Sequence, residues 1–411
     1  VYVMEKSYFR LVFAGHVDHG KSTLLGRLLF ETNSLPKQKI AEIKTASKVL
    51  GKDMEFAFLI DQLKEERENQ MTLDTAQAFF RSRRRNYAVI DAPGHIELIK
   101  NMITGASQAQ AAILVIDIAE GIKEQTTRHA SIAGLLGITQ LIVVLNKIDL
   151  AGYKEQPFQE AKDKILKFLS NLDIKPAAVI PVCARNGANV SRKSPLMAWY
   201  KGPCLLKALN SLRLKNPADK KPLRIPVQDI YEIKGERIIA GKIISGTVKR
   251  GQKITLLPSL LEAKISVIKI FGKSPVKAQA GENIGIILSK PLIVKRGDIL
   301  AANPSGARLS GRFKGKVFWW AKEALPVNAR IDLRCASQQV QCVIEKIEKK
   351  VDSSTLQIIE RNAAELKTNE IGIVAIKTER PIAIENFDFI EDLGRFVLER
   401  DFNAAGAGII A

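Results

Sequence analysis

An α/β domain followed by two all-β barrel domains is the fold class this sequence predicts, on three observations. Strand-like and helix-like stretches alternate through residues 1–212, which implies a largely parallel sheet covered on both faces. A Gly-rich loop separates the first strand from the first helix. Beyond about Ile225 the helical signal nearly disappears, and short strand-like segments are parted by turns such as Ser245-Gly246, Arg250-Gly251 and Ala280-Gly281. That grammar is the one expected of barrels.

Taken in order, residues 9–15 (FRLVFAG) read as a buried strand, and a helix opens near Lys21. Further strands are expected at 87–90, 112–117, 140–146 and 178–182, with helices between them at 125–136 and 157–172. The stretch 212–226 is rich in Pro and Lys and reads as a linker. The domains expected are therefore 1–212, 223–304 and 312–411.

A chain of 411 residues is too long for one ordinary core. Its 46% hydrophobic and 26% charged residues are those of a soluble globular protein. The longest apolar runs, at 111–116 and 141–145, fall far short of a membrane span. Residues 1–10 lack the apolar core of a signal peptide. Cys183, Cys204, Cys335 and Cys342 show no C-x-x-C pairing, which argues against a zinc site or disulfide framework. A cytoplasmic location without membrane contact is expected. The net charge of +20, part of it in Arg81-Ser82-Arg83-Arg84-Arg85, attracts polyanions, although a solvated Lys-rich surface explains it equally well.

Gly15-His16-Val17-Asp18-His19-Gly20-Lys21-Ser22 fits G-x-x-x-x-G-K-[ST] between a strand and a helix. In that setting backbone N–H groups and the helix N-terminus favour phosphates. Lys21 would reach the β/γ-phosphates, and the Ser22 hydroxyl, with Thr23 beside it, would approach Mg²⁺. His16 and His19 sit three apart, but a loop wrapped on phosphates leaves no room for imidazole ligation. Asp91-Ala92-Pro93-Gly94-His95 follows the strand at 87–90. Asp91 is placed for a Mg²⁺ contact, Gly94 for close approach of its N–H to a γ-phosphate, and His95 for orienting a water. Thr72 is a candidate to complete the Mg²⁺ shell from a segment whose order depends on the γ-phosphate.

Asn146-Lys147-Ile148-Asp149 follows the strand at 140–146. The Asp149 carboxylate can accept from both N1–H and the exocyclic amine of guanine. Adenine offers no such pair of donors and would leave the carboxylate buried and unpaired. Asn146 would tie the base-binding loops together, and the Lys147 stem can cover one ring face. Cys183-Ala184-Arg185 follows the next strand, where a backbone N–H could meet guanine O6. Four motifs in this order and context make the first part an α/β P-loop GTPase domain, with GTP/GDP and Mg²⁺ as ligands.

With these residues assembled, the chain resembles the translation-factor-type GTPases. Gly15–Thr23, Asp91–His95, Lys100-Asn101-Met102-Ile103-Thr104-Gly105-Ala106-Ser107 and the first-switch-like stretch from Leu59-Ile60-Asp61 to Glu65-Glu66-Arg67-Glu68 carry the resemblance. That family's architecture is a G domain plus two barrels. Two branches compete. One is elongation factor 1-alpha, which carries aminoacyl-tRNA to the ribosome. The other is the GTPase subunit of bacterial sulfate adenylyltransferase, which couples GTP hydrolysis to adenosine 5′-phosphosulfate synthesis by a separate catalytic subunit.

Asn189-Val190-Ser191 through Met197-Ala198-Trp199-Tyr200-Lys201-Gly202-Pro203, and Phe318-Trp319-Trp320 through Leu325-Pro326, resemble the sulfate branch. The compact last barrel also lacks the tRNA-contacting His/Arg pattern. Leu98–Gly105 and Leu393-Gly394-Arg395-Phe396 resemble the elongation-factor branch. Gln70 stands where that family usually has Gly before the hydrophobic–Thr pair, and Cys183 where the guanine loop usually has Ser. The resemblance makes the sulfate-activating subunit, with its catalytic partner, the leading expectation. Delivery of aminoacyl-tRNA, with tRNA and ribosome as partners, is the alternative.

Overall fold

The computed structural model describes residues 8–35, 56, 77–91, 109–135, 138, 140–172, 174–213, 218–302, 308–353 and 357–410. The chain divides into two compact units, Val1–Leu214 and Lys215–Ala411.

In the first unit, β1 (Tyr8–Gly15), β2 (Gln77–Arg81), β3 (Asn86–Asp91), β4 (Ala111–Asp117), β5 (Leu141–Asn146) and β6 (Ala178–Pro181) form one sheet in the order β2-β3-β1-β4-β5-β6. Strands β4 and β5 are buried at every position, because helices cover both faces of a parallel sheet. The described helices are α1 (Lys21–Glu31), α2 (Glu124–Leu135), α3 (Glu155–Ser170) and α4 (Leu205–Ser211). Leu24, Leu25 and Leu28 of α1 and Leu205 and Leu209 of α4 meet Phe9, Leu11, Val89, Val115, Val144 and Ile180 in one core cluster. The spacing of i, i+1 and i+4 keeps the α1 leucines on one stripe.

Two elements depart from the expectation. β2 is antiparallel to β3, so the sheet is mixed. A connection as short as residues 82–85 can only make a hairpin, since a parallel partner needs a long crossover. Helix α4 was not anticipated: seven residues give too little sequence for a periodic signal.

Among its described residues the second unit is all-β apart from short turns and the brief helix Glu391–Gly394. Strands Lys253–Leu257, Leu261–Lys269, Asn283–Leu288, Glu236–Lys242, Arg224–Ile233 and Ile299–Ala301 close a barrel in that spatial order. A seven-stranded sheet follows in the order Arg330–Cys335, Arg395–Arg400, Asn403–Ile410, Arg308–Trp319, Glu370–Ile384, Gln338–Asp352 and Ile358–Ala363. It closes on itself where Arg330–Cys335 also pairs with Gln338–Asp352. The expected linker at 212–226 is shorter in the fold: a 3-10 turn at Ala218–Lys220 leads into a strand that starts at Arg224. Arg224 falls inside the stretch expected to be linker. It is fully buried, and its Nε donates to Glu385 Oε1 at 2.9 Å.

Candidate functional site

The polar ends of the parallel strands converge on one edge of the sheet. Phe13 lies opposite Asp91, Gly15 opposite Val115, and Asp117 opposite Asn146. The loop after β1, the ends of β3, β4 and β5, and the loop after β6 therefore share the carboxyl-end crevice where open α/β sheets bind ligands.

The phosphate loop is shaped by two glycines. Gly15 has φ of 140°, and a Cβ there would stand 2.2 Å from the Val115 carbonyl oxygen. Gly20 has φ of 83°, and its Cβ would stand 2.5 Å from Asn146 Nδ2. No side chain can replace either hydrogen without moving backbone or the base-site asparagine. The Gly15 amide donates to His129 Nδ1 at 3.0 Å, and the Val17 amide to Gln125 Oε1 at 3.1 Å. Helix α2 thus holds the loop from behind. His129, the one histidine outside the motifs, is a residue that sequence reading missed; no local pattern links it to Gly15.

Helix α1 begins at Lys21 with no side-chain cap and no acid in its first turn. A helix N-terminus of that kind favours an anion. The Lys21 ammonium donates to the carbonyls of Gly15 at 3.0 Å and His16 at 2.7 Å. Ser22 and Thr23 follow in the same turn, half-buried.

His19 is fully buried, its Nδ1 3.4 Å from the Val115 carbonyl and its Nε2 3.7 Å from Glu120 Oε2. Burial pushes its pKa down, against the Val115 carbonyl contact, which pulls it up. The ring packs edge-on to His16 at 5.1 Å. Packing, not ligation, occupies this pair. Among the described residues no cluster of His, Cys, Asp and Glu could hold a metal.

Asn146 is the hub of the base end. Its Nδ2 donates to the His19 carbonyl at 2.9 Å, and its Oδ1 accepts the Ala184 amide at 3.0 Å. One buried side chain therefore joins the phosphate loop, β5 and the loop after β6. Of the loop whose backbone is expected to meet guanine O6, the Ala184 N–H is therefore taken up by Asn146. Lys147 adopts a left-handed backbone with φ of 58°, and its ammonium meets Asp117 Oδ2 at 2.8 Å.

Asp117 is a second residue that sequence reading missed. Burial alone would raise its pKa, but the Lys147 hydrogen bond and the amides of Ala119 and Glu120 outweigh it and hold the carboxyl low. Asp149 lies in the 3-10 turn Ile148–Ala151, and its Oδ1 is buried without a hydrogen-bond partner among the described residues. An orphan acceptor of this kind is costly unless a ligand supplies donors. Cys183 is buried, its thiol pushed up by that burial and further by Asp149. Arg185 is exposed.

The glycine cradle and the orphan Asp149 oxygen fit a guanine nucleotide, and hydroxyl and carboxylate oxygens are the donor set Mg²⁺ prefers. Asp91 ends β3, and only its backbone is described. Thr72, Gly94 and His95 lie outside the described residues.

The stretches read as marks of the sulfate branch turn out to be packing. Asn189 Oδ1 accepts the Ser194 amide at 2.9 Å, Trp199 Nε1 donates to the Tyr153 carbonyl at 2.8 Å, and Tyr200 Oη donates to the Val179 carbonyl at 3.2 Å. Trp319 and Trp320 are buried, donating to the carbonyls of Glu323 and Ala404. Such roles mark a fold and say nothing about a partner.

Comparison with known proteins decides between the branches. Residues 6–268 match the elongation factor Tu GTP binding domain, 236–301 elongation factor Tu domain 2, and 312–411 the GTP-eEF1A C-terminal domain-like family. The chain is 36% identical over 413 residues to elongation factor 1-alpha of Archaeoglobus fulgidus, covering 99% of this chain and 98% of that one. It is 36% identical over 419 residues to that of Pyrococcus furiosus, with the same coverage. It is 35% identical over 412 residues to that of Methanosphaerula palustris, covering 98% and 97%. Of solved structures, sup35 complexed with GDP matches at TM-score 0.46 and 24% identity, covering 99% of this chain and 94% of that one. The expected sulfate adenylyltransferase subunit is thereby overturned, because end-to-end relatives carry the elongation-factor name. The chain belongs to the elongation factor Tu/elongation factor 1-alpha family of translation-factor-type GTPases.

Proposed function

We propose that the chain is an elongation-factor-like GTPase that delivers aminoacyl-tRNA to the ribosome. The observation that carries this reading is the match, along nearly the whole of both chains, to proteins named elongation factor 1-alpha. The net charge of +20 suits a polyanionic cargo. Residues 1–212, 223–304 and 312–411 are proposed as its three domains.

In this reading the amides of the loop from Gly15 to Gly20 cradle the phosphates, and Lys21 turns its ammonium from the loop carbonyls to the β/γ-phosphates. Asp149 reads guanine, and Asn146 holds the two walls of the pocket at fixed separation. The Lys147 stem, its head fixed by Asp117, covers the ring. Ser22, Thr72 and Asp91 would hold Mg²⁺, which when bound offsets phosphate charge. His95 positions the water, and Gly94 and Thr72 register the γ-phosphate, so that its loss releases both segments.

The test is protection of aminoacyl-tRNA from spontaneous deacylation. Protection with a non-hydrolysable GTP analogue, absent with GDP and falling steeply with salt, is the expected result. Equal deacylation in both nucleotide states would reject delivery and leave only family membership.

A further inference from the structure

At the amino-terminal ends of β1 and β3, opposite the phosphate loop, the sheet corner is unlike an ordinary solvated edge. Side chains alternate between faces along a strand, and the register sorts them here into two layers. Phe9, Tyr87 and Phe80 face the core, with Phe80 and Tyr87 stacked at 4.5 Å. On the other face, Tyr8, Asn86 and Arg81 form one cross-strand row, and Arg10, Ala88 and Phe79 the next. Tyr8 and Phe79 meet edge-on at 5.1 Å, yet each remains 42% exposed.

The hairpin tip adds fixed positive charge. Ser82 is buried. Its hydroxyl donates to Asn210 Oδ1 at 2.7 Å and accepts the amides of Arg84 and Arg85 at 3.1 Å each. Arg85 lies over the Phe9 ring at 4.9 Å. The turn is thus anchored to α4, leaving Arg83 and Arg84 exposed. No described acid lies within ion-pair distance of Arg10, Arg81, Arg83 or Arg84. A cleft of about 580 Å³ runs beside them, lined by Tyr8, Phe79, Arg81, Arg83 and the polar Asn33 and Ser34, with no acid among the described residues of its wall.

Guanidinium groups with no described acid beside them favour anions, and an exposed ring pair favours flat apolar faces. A single nucleic-acid strand supplies both at the same spacing, phosphates along its backbone and a π-face on every base. We propose that this corner binds an unpaired RNA segment, with Tyr8 and Phe79 stacking on bases and Arg10, Arg81, Arg83 and Arg84 holding phosphates. The surface is separate from the nucleotide crevice. Only the choice of RNA over DNA rests on the proposed delivery function.

The test uses the full chain loaded with GDP and fluorescence anisotropy with a labelled single strand of eight uridines and, separately, a blunt RNA duplex. The single strand is expected to bind with affinity that falls as salt rises. Arg83→Glu/Arg84→Glu should weaken it about tenfold or more and flatten the salt dependence. Tyr8→Ala/Phe79→Ala should weaken the single strand roughly tenfold and leave duplex binding unchanged, while Tyr8→Phe retains full binding. Unchanged GDP affinity in every variant certifies the fold.

The proposal fails if both double variants bind the single strand like the parent. It fails also if the aromatic variant loses duplex and single strand alike, or if a polyglutamate peptide displaces the RNA as well as unlabelled RNA does, which would mark an acidic protein as the partner. Loss of aminoacyl-tRNA protection with intact oligonucleotide binding would reject delivery alone.

Discussion

Asn146 shows how one amide side chain can set the geometry of a site. Its two polar atoms are spent on the His19 carbonyl and the Ala184 amide, so Asn146→Ala would free two buried groups and let the pocket walls part. Asp149→Asn is expected to lower guanine affinity by roughly 10²-fold or more, by analogy with other buried polar discriminators. Competition of GTP and xanthosine triphosphate against a fluorescent guanine nucleotide measures it, and an unchanged preference for guanine would remove Asp149 from base reading. Asp117→Ala should release the Lys147 head and weaken nucleotide binding about tenfold, the order of one lost hydrogen bond between charged groups. Titration with fluorescent GDP reads that change.

His19 carries a pH signature of its own. The folded ring is held below its ordinary 6.5, chiefly by burial, so the unfolded chain takes up the proton first as pH falls. Its contribution to stability is complete above pH 6.5 and is lost as pH drops from 6.5 through the depressed folded value. Replacing His19 with Gln should flatten the melting temperature of the first unit between about pH 5 and 7. An equally steep profile in the variant would assign the acid sensitivity to another group.

At the scale of elements, the β2–β3 hairpin shows where the sequence pattern runs out. Its tip, Arg81-Ser82-Arg83-Arg84-Arg85, reads from sequence only as a block of positive charge, because nothing local announces a turn. The turn exists because buried Ser82 finds Asn210 on α4, which also accepts from the Tyr87 hydroxyl at 3.0 Å. Ser82→Ala removes one of the two donors to Asn210 Oδ1 and leaves two turn amides without their acceptor, so it should cost about 1–3 kcal/mol, read from denaturant unfolding of the GDP-bound chain. A cost near zero would mean that the hairpin is held by its aromatic layer alone. Strands β1, β4 and β5 and helix α1, by contrast, stand within a residue or two of their expected places. Each combines a continuous apolar run or leucine stripe with a glycine or polar residue at its end.

At the scale of the whole molecule, the second unit hides an ion pair between distant strands. Arg224 and Glu385 are buried, and burial raises the Glu385 pKa although Arg224 pulls it down. Removing one partner leaves the other charge without compensation. Arg224→Met should destabilise the unit by about 3–5 kcal/mol, and the double change Arg224→Met/Glu385→Leu should recover most of that loss. Equal losses for the single and double variants would show that packing at Arg224, not charge, is what matters.

The sequence by itself determined that the first part is a P-loop GTPase domain, from the phosphate loop, the strand-end acid and the Asn-Lys-x-Asp motif in order, and it marked the change from alternating to all-β grammar after residue 225. These are local signals, since a loop that cradles phosphates must carry glycines and a lysine at fixed spacing wherever it occurs. Tertiary structure decided what depends on contacts between distant residues. It brought His129 to Gly15, Asp117 to Lys147, Asn146 to Ala184, and Arg224 to Glu385. It also fixed the packing partners of Trp199, Trp319 and Trp320, aromatic residues of the kind that usually serve packing. Side chains far apart in the chain meet only when the sheet and barrels close, and no spacing rule along the sequence encodes that meeting.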